Sequence, residues 1–455
     1  MGGGSAWWPT AKSGRWWVRC LCSAWRLEFW FRSRDHASVN DVVVTPDMVS
    51  LGVLVNAVPR DVIDSAVAEC GVVAKRKGGK LPPHVTAYLM MGLCLFTDDD
   101  YEEVATKVTG SLSRWGCWDA AWTVPTASGI TQARKRLGRN IMSEVFEGVA
   151  QPVATRSTQG AWLRGWRLLA IDGFEVDVPD TDANAAEFGY AGSGENRSAF
   201  PKARVVALAE CATHVFVAAE VDAWAVGEKS LANRLYLRLR RDELLTADRN
   251  FYSFHAWDLA AGTGAALLWR APTQLGLPVV DVLDDGTYVA VLVDPKLRGA
   301  RRDQVLEAAR AGDDIGADGH FVRVVEYDVP DRVGNGSGEL IVLLSTILDP
   351  ADATAEELAA AYHERWEEET ANDQLKTHLR GPGRILRSRL PDLVHQEIWA
   401  WLTVHYAITA LIWQAAEAAG IDPDRISYSR ALRIIRRTAT GTAALPPWRL
   451  GPRAT

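Results

Sequence analysis

From Met48 to about Ala154 the apolar positions recur at helical spacing. Leu81–Phe96 opens on Pro82 and Pro83, which suit a first helical turn, and runs apolar to its end. Thr97–Val108 begins with acids, which complement the positive end of a helix. Ser128 reads as an N-cap for the helix that carries Arg134, Lys135, Arg136 and Arg139. From Arg164 short apolar runs take over. Trp166–Asp172 reads as a buried strand ending in an acid, and Ala203–Cys211 and His214–Ala223 as two more strands around a short turn. Glu228–Leu239 reads as a helix, and Glu243–Asp248 as a second short strand ending in an acid. Several β-like runs follow between about Ala265 and Ile347, with little helix among them except Arg302–Arg310. Thr354–Leu379 predicts one long helix, with Thr at its start, acids in its first turns and Gly381–Gly383 to end it. The uncharged run Ile398–Ala416 is long enough to cross a membrane, but it holds Thr403, His405, Thr409 and Gln414 and is expected to be a buried core helix.

Three strands, a helix and a strand form the opening order of a ribonuclease-H-like sheet. The expected fold is therefore α/β: a ribonuclease-H-like mixed sheet with helices on both faces over 160–455. It is interrupted by a β-rich insertion at about 262–350 and preceded by a small all-helical domain over 48–154. Residues 1–47 stand apart, with Trp7, Trp8, Trp16, Trp17, Trp25 and Trp30 and no periodicity. They are read as a misassigned start, with Met48 the natural one, in preference to an aromatic–basic arm. Hydrophobic residues at 48% and charged residues at 24% exclude disorder over most of the chain. A net charge of −7 excludes a uniformly basic coat but not a local basic face. Residues 371–455 carry 12 Lys and Arg against 6 acids, the pattern of a one-sided DNA surface. The 6 cysteines form no C-x-x-C pair, so they are expected as reduced thiols without a zinc framework.

Asp172 and Asp248 each close an apolar strand and precede a turn. Acids at the ends of adjacent central strands converge, and paired carboxylates call for a cation between them. Hard oxygen ligands with incomplete protein coordination suit Mg²⁺. On the long helix, Tyr362, Arg365, Glu369 and Lys376 fall at offsets of 3, 7 and 14. At about 100° per residue they share one stripe. A solvated salt-bridge face is the competing reading of that stripe. Glu367, Glu368 and Asp373 leave the choice of its carboxylate open by geometry alone.

These segments resemble a DDE transposase of the insertion-sequence-four family, from about Asn56 to Arg437. The text that carries the resemblance is RKGGKLPPHVTAYLMMGLCLF, ITQARKRLG, LLAIDG, FPKARVVALAE, GEKSLANRLYLRL, LLTADRNFYSF and the Y-x2-R-x3-E-x6-K helix. The resemblance implies Asp172, Asp248 and Glu369 as catalytic, metal-holding acids, spaced 76 and 121 residues apart. It implies two Mg²⁺ ions, with Mn²⁺ able to substitute, and Tyr362, Arg365 and Lys376 as grips on DNA phosphates. Arg134 and Arg136 are the candidate DNA contacts of the helical domain. The implied partner is double-stranded DNA, both the terminal inverted repeats of a bacterial element and its target. A homodimer assembled on that DNA and a cytoplasmic, nucleoid-associated location are further expectations. Cut-and-paste movement through a hairpin would call for an aromatic to receive an unstacked base, with Trp257, Trp269 and Trp366 as candidates. The alternatives are a metal-dependent nuclease on the same sheet that cuts without joining, and a catalytically silent DNA-binding relic.

Overall fold

The computed structural model describes residues 53–73, 81–109, 123–329 and 339–439. The Trp-rich start, the suggested start at Met48, and Arg449 and Arg453 lie outside the described residues. The chain begins with six helices: α1 (Val53–Ala57), α2 (Arg60–Glu69), α3 (Pro83–Leu95), α4 (Tyr101–Thr109), α5 (Ala127–Leu137) and α6 (Ile141–Val149). α3 is buried on every side from His84 to Leu95, and Pro83 stands in its first turn as expected. The N-cap of α5 is Thr126, whose hydroxyl accepts from the Gly129 amide at 3.2 Å. Ser128, the expected cap, lies inside the helix, because Thr126 stands three residues before the amide it caps.

The sheet follows in the order β1 (Trp162–Leu163), β2 (Trp166–Asp177), α7 (Asp182–Phe188), β3 (Lys202–Glu210), β4 (Phe216–Ala223), α8 (Glu228–Tyr236), β5 (Glu243–Ala247), α9 (Phe254–Ala261) and β6 (Ala266–Arg270). Then come β7 (Val279–Val282), β8 (Tyr288–Val293), α10 (Gly299–Ala311), β9 (Gly319–Val329) and β10 (Glu339–Ser345). Strand order is β4-β3-β2-β5-β6-β10-β9-β8-β7, with β1 beside β2. β2, β3 and β4 are antiparallel, while β5 lies parallel to β2 and β6 parallel to β5. This is the ribonuclease-H-like arrangement. The first of the later β-like runs, Ala266–Arg270, is a strand of that central sheet. The four after it extend the same sheet through β10, which is antiparallel to β6.

Four helices and a π-helical turn complete the described residues: α11 (Ala355–His363) and α12 (Trp366–Asp373), then the π-helical turn at Gln374–Leu379, then α13 (Pro391–Ala419) and α14 (Tyr428–Ala439). Thr354 and Glu357 form a reciprocal capping box at the start of α11. α13 is the uncharged run read as a core helix; among the described residues no helix is long and apolar enough to cross a membrane. It packs against α3 and α6, so the N-terminal helices share one apolar core with α13, α14 and one sheet face. The opposite face is covered by α8 and α9 around Trp257 and Trp269, both fully buried. Cys94 and Cys211 are buried free thiols, and burial holds both well above the usual thiol range.

Candidate active site

Alternation along β2 decides where its acid points. Leu168 and Ala170 enter the apolar cluster built with α11, and Phe174 and Val176 enter the one built with Leu375 and Leu379. Asp172 has the same parity and lies on that face, in the gap between the two clusters. Asp172 does not end its strand, contrary to the sequence reading: β2 runs on to Asp177, because β3 stays paired with it from Ala207 to Lys202. The strand that ends is β5. Ile171 stands opposite Ala247, so Asp172 and Asp248 are the next residues on neighbouring parallel strands, whose axes lie about 4.8 Å apart. Both acids keep part of their surface open to solvent.

The helix over the gap is not the single straight helix expected. It breaks at Glu364–Arg365, where the amides of Arg365, Glu367 and Glu368 bond three residues back. Such a tight turn advances about 120° per residue and shifts the phase of the residues after it. Glu368 is fully buried, and among the described residues its carboxylate finds no donor, only the Asp172 carboxyl beside it. Burial, followed by the charge of Asp172, pushes Glu368 well above the usual carboxylate range. Glu369 keeps 44% of its side chain exposed and accepts from Arg365 Nη2 at 3.0 Å. The Asn372 amide donates to Asp172 Oδ2 at 3.1 Å.

The other residues of the stripe differ from one another. Arg365 is only 6% exposed, and its guanidinium lies 5.8 Å from the Tyr362 ring centre and 5.1 Å from that of Trp366. It holds Glu369 and faces Asp248, so in this DNA-free structure the expected phosphate grip is engaged inside the protein. Tyr362 is likewise buried, and its hydroxyl finds no well-formed hydrogen bond. Burial pushes that hydroxyl up to about 12. In this DNA-free structure the hydroxyl expected to grip a phosphate is therefore turned into the protein. Lys376 is half-buried, its ammonium 5.7 Å from the centre of the Phe174 ring, one step along β2 from Asp172.

Sequence reasoning did not find Glu228 or Asn372. Glu228 opens α8, and a Cβ on Gly173 would stand 2.7 Å from its carboxylate, so the glycine admits that acid beside Asp172. Burial raises Glu228, and Asp172 adds to the shift. The signals were present: Gly173 directly after Asp172, and Asn372 one helical turn after Glu368.

The expected DNA face is also divided. Arg134 is 1% exposed and donates to Tyr101 Oη at 2.6 Å, Ser388 Oγ at 2.8 Å and the Leu393 carbonyl at 3.0 Å. It ties α5 to the start of α13 and cannot reach DNA, whereas Arg136 is exposed. In the basic C-terminal region, Arg387 donates to the Asp99 and Phe96 carbonyls, and Arg436 to that of Leu95. Arg384 pairs with Asp98. These cations stitch the C-terminal region to the α3–α4 corner. Arg430 and Arg433, on α14, remain exposed.

Residues 48–147 match the family of insertion element 4 transposase N-terminal regions, and residues 164–406 match the transposase DDE domain family. The chain is 25% identical over 397 residues to the transposase InsG for insertion sequence element IS4 of Escherichia coli (strain K12), covering 86% of this chain and 83% of InsG. It also aligns over 90% of its length with 83% of a chain in the piggyBac transposase synaptic complex with hairpin DNA, at 9% identity and a TM-score of 0.44, too distant to carry argument.

Proposed function

The chain belongs to the DDE transposase family, and from that premise we propose that Asp172, Asp248 and Glu369 are the catalytic carboxylates of a cut-and-paste element transposase. The observation that carries the reading is that Asp172 and Asp248 directly follow the paired residues Ile171 and Ala247 of adjacent parallel strands, under a helix whose Glu368 lies against Asp172 and whose Glu369 is held by Arg365, which faces Asp248. The donor set fits a hard divalent cation: it is all oxygen and partly open, and Asp172 has no Lys or Arg ion-pair partner among the described residues. Two Mg²⁺ ions held there would activate a water or 3′-hydroxyl and neutralise the leaving 3′-oxygen of an in-line displacement.

Glu369 is chosen over Glu368 on access. A ligand that shares its ion with a scissile phosphate must face the open cleft, and Glu368 is 0% exposed. Arg365 orients the Glu369 carboxylate, and Asn372 orients that of Asp172. Lys376 supplies a mobile positive charge beside the strands, suited to a phosphate near the scissile bond. Element-end and target duplexes are the DNA partners in this reading. The test is a single-turnover assay with Mg²⁺ on a duplex copied from the DNA that flanks the gene. Cut ends that join a target support the reading; cutting without joining makes the protein a nuclease, and binding alone makes it a relic.

Trp257 and Trp269 are core residues, so of the three candidate base acceptors only Trp366, 54% exposed and beside Arg365, can meet an unstacked base. Trp366→Ala is expected to lower hairpin formation by about 10-fold or more, a stacking loss of roughly 1–3 kcal/mol, with first-strand nicking unchanged. Equal loss of both steps would remove the stacking role. End binding should also be salt-sensitive. Arg430→Ala with Arg433→Ala is expected to flatten the log–log salt slope by about 0.9 for each phosphate no longer held. Arg387→Ala should leave that slope unchanged, since Arg387 is engaged inside the protein.

A further inference from the structure

On the far side of the signature helix, three ligand-type side chains from three separate segments meet. His214 lies in the turn between β3 and β4, Glu367 on α12, and Asp424 in the link between α13 and α14. His214 Nε2 stands 2.8 Å from Glu367 Oε2 and 3.3 Å from Asp424 Oδ1, and the three ligand atoms all lie within 4.8 Å of one another. They border a cavity of about 290 Å³ that Thr370, Gln374 and His378 also line. Glu367 and Glu369 are about 200° apart around the helix, so this cavity is separate from the DDE cleft.

The cluster carries more negative charge than its surroundings answer. Two carboxylates, those of Glu367 and Asp424, face the single imidazole of His214. An independent observation concerns Gln374. It is 8% exposed and lines the cavity; its amide lies 2.8 Å from His214 Nδ1, and its Oε1 has no partner. With the amide turned over, an assignment that shape alone does not distinguish, that oxygen accepts from Nδ1–H. The neutral imidazole then presents the Nε2 lone pair to the two carboxylates, which is how a metal-ligating histidine is usually oriented.

We propose that His214, Glu367 and Asp424 form a second divalent-cation site, of mixed nitrogen and oxygen donors, suited to Zn²⁺-class ions and not to Mg²⁺. The imidazole favours such ions over the hard cations that the all-oxygen DDE cleft takes. Its ion would pin the β3–β4 turn and the α13–α14 link to α12, directly after the break at Glu364–Arg365, and so hold the phase that presents Glu369.

The test uses the full chain, stripped by chelator, with Co²⁺ as probe followed by calorimetry and visible absorption. The background is Asp172→Asn with Asp248→Asn, which cripples metal binding in the DDE cleft. Expected is one saturable Co²⁺ per chain in that background, displaced by Zn²⁺ and not by millimolar Mg²⁺. His214→Asn should abolish that binding; asparagine tolerates the φ of 59° found at His214. Glu367→Gln, whose position makes no such backbone demand, should weaken it by at least about 10-fold. Zn²⁺ should raise the melting temperature of the background protein and not that of the His214→Asn version. Undiminished Co²⁺ affinity in either added variant, or absence of the saturable site from the background protein, would overturn the proposal.

Discussion

Glu369→Gln is expected to abolish both cleavage and joining in single-turnover assays with Mg²⁺, while Glu368→Gln is expected to keep both within about tenfold of wild type. The two residues are neighbours in sequence, yet the step of about 100° between consecutive residues of α12 points them different ways. Glu369 is 44% exposed on its side chain and held by Arg365; Glu368 is sealed against Asp172. Removing a ligand charge that faces the scissile phosphate takes away several kcal/mol of charge stabilisation, or about 10³-fold in rate at roughly 1.4 kcal/mol per decade. Replacing a carboxyl that no phosphate can approach leaves the open side of the cleft intact. Asp172→Asn should be as inactive as Glu369→Gln. Asp373→Asn should be active, because Asp373 is exposed and bonds to Thr377 and His378 away from the strands. End binding, measured in the absence of divalent metal, should survive all four changes. A dead Glu368→Gln beside a normal Glu369→Gln would move the third carboxylate by one residue.

The second large effect is on stability. Arg134→Ala is expected to cost about 3–5 kcal/mol, the loss typical of breaking a buried, hydrogen-bonded charge network. Arg134 shares Ser388 with Glu397: Ser388 Oγ donates to Glu397 Oε2 at 2.5 Å, and the Arg387 and Ser388 amides donate to the same carboxylate. Glu397 is 6% exposed, so removing Arg134 takes away the cation that shares Ser388 with this buried carboxylate. Arg136, two residues on, is exposed, and Arg136→Ala should stay within about 0.5 kcal/mol of wild type. Denaturant midpoints measure the difference. A stable Arg134→Ala that loses only affinity for element ends would return this arginine to the DNA face.

The two arginines show where sequence reading stops. Their types and spacing gave a basic helix face, but burial of one and exposure of the other depend on where α13 lands, more than 250 residues later. The order of strands and helices, and the two aspartates after their apolar runs, were local properties. Alternation on β2 and parallel pairing with β5 then put Asp172 and Asp248 side by side. That β2 continues past Asp172 was not local, because the continuation exists only through its pairing with β3. The signature helix divides in the same manner. Its residue types, cap and end were readable from the sequence, and a uniform 100° wheel came from them. That wheel kept Tyr362, Arg365 and Glu369 in contact across the break at Glu364–Arg365 but could not tell that Tyr362 and Arg365 face inward or that Glu368 is buried against Asp172. Helix propensity depends on nearest neighbours and could not report the break, whereas the phase of a helix over a sheet is set by the side chains packed beneath it. The meeting of His214, Glu367 and Asp424 belongs to the same class: three ordinary positions in sequence, joined only by the way distant segments fold together.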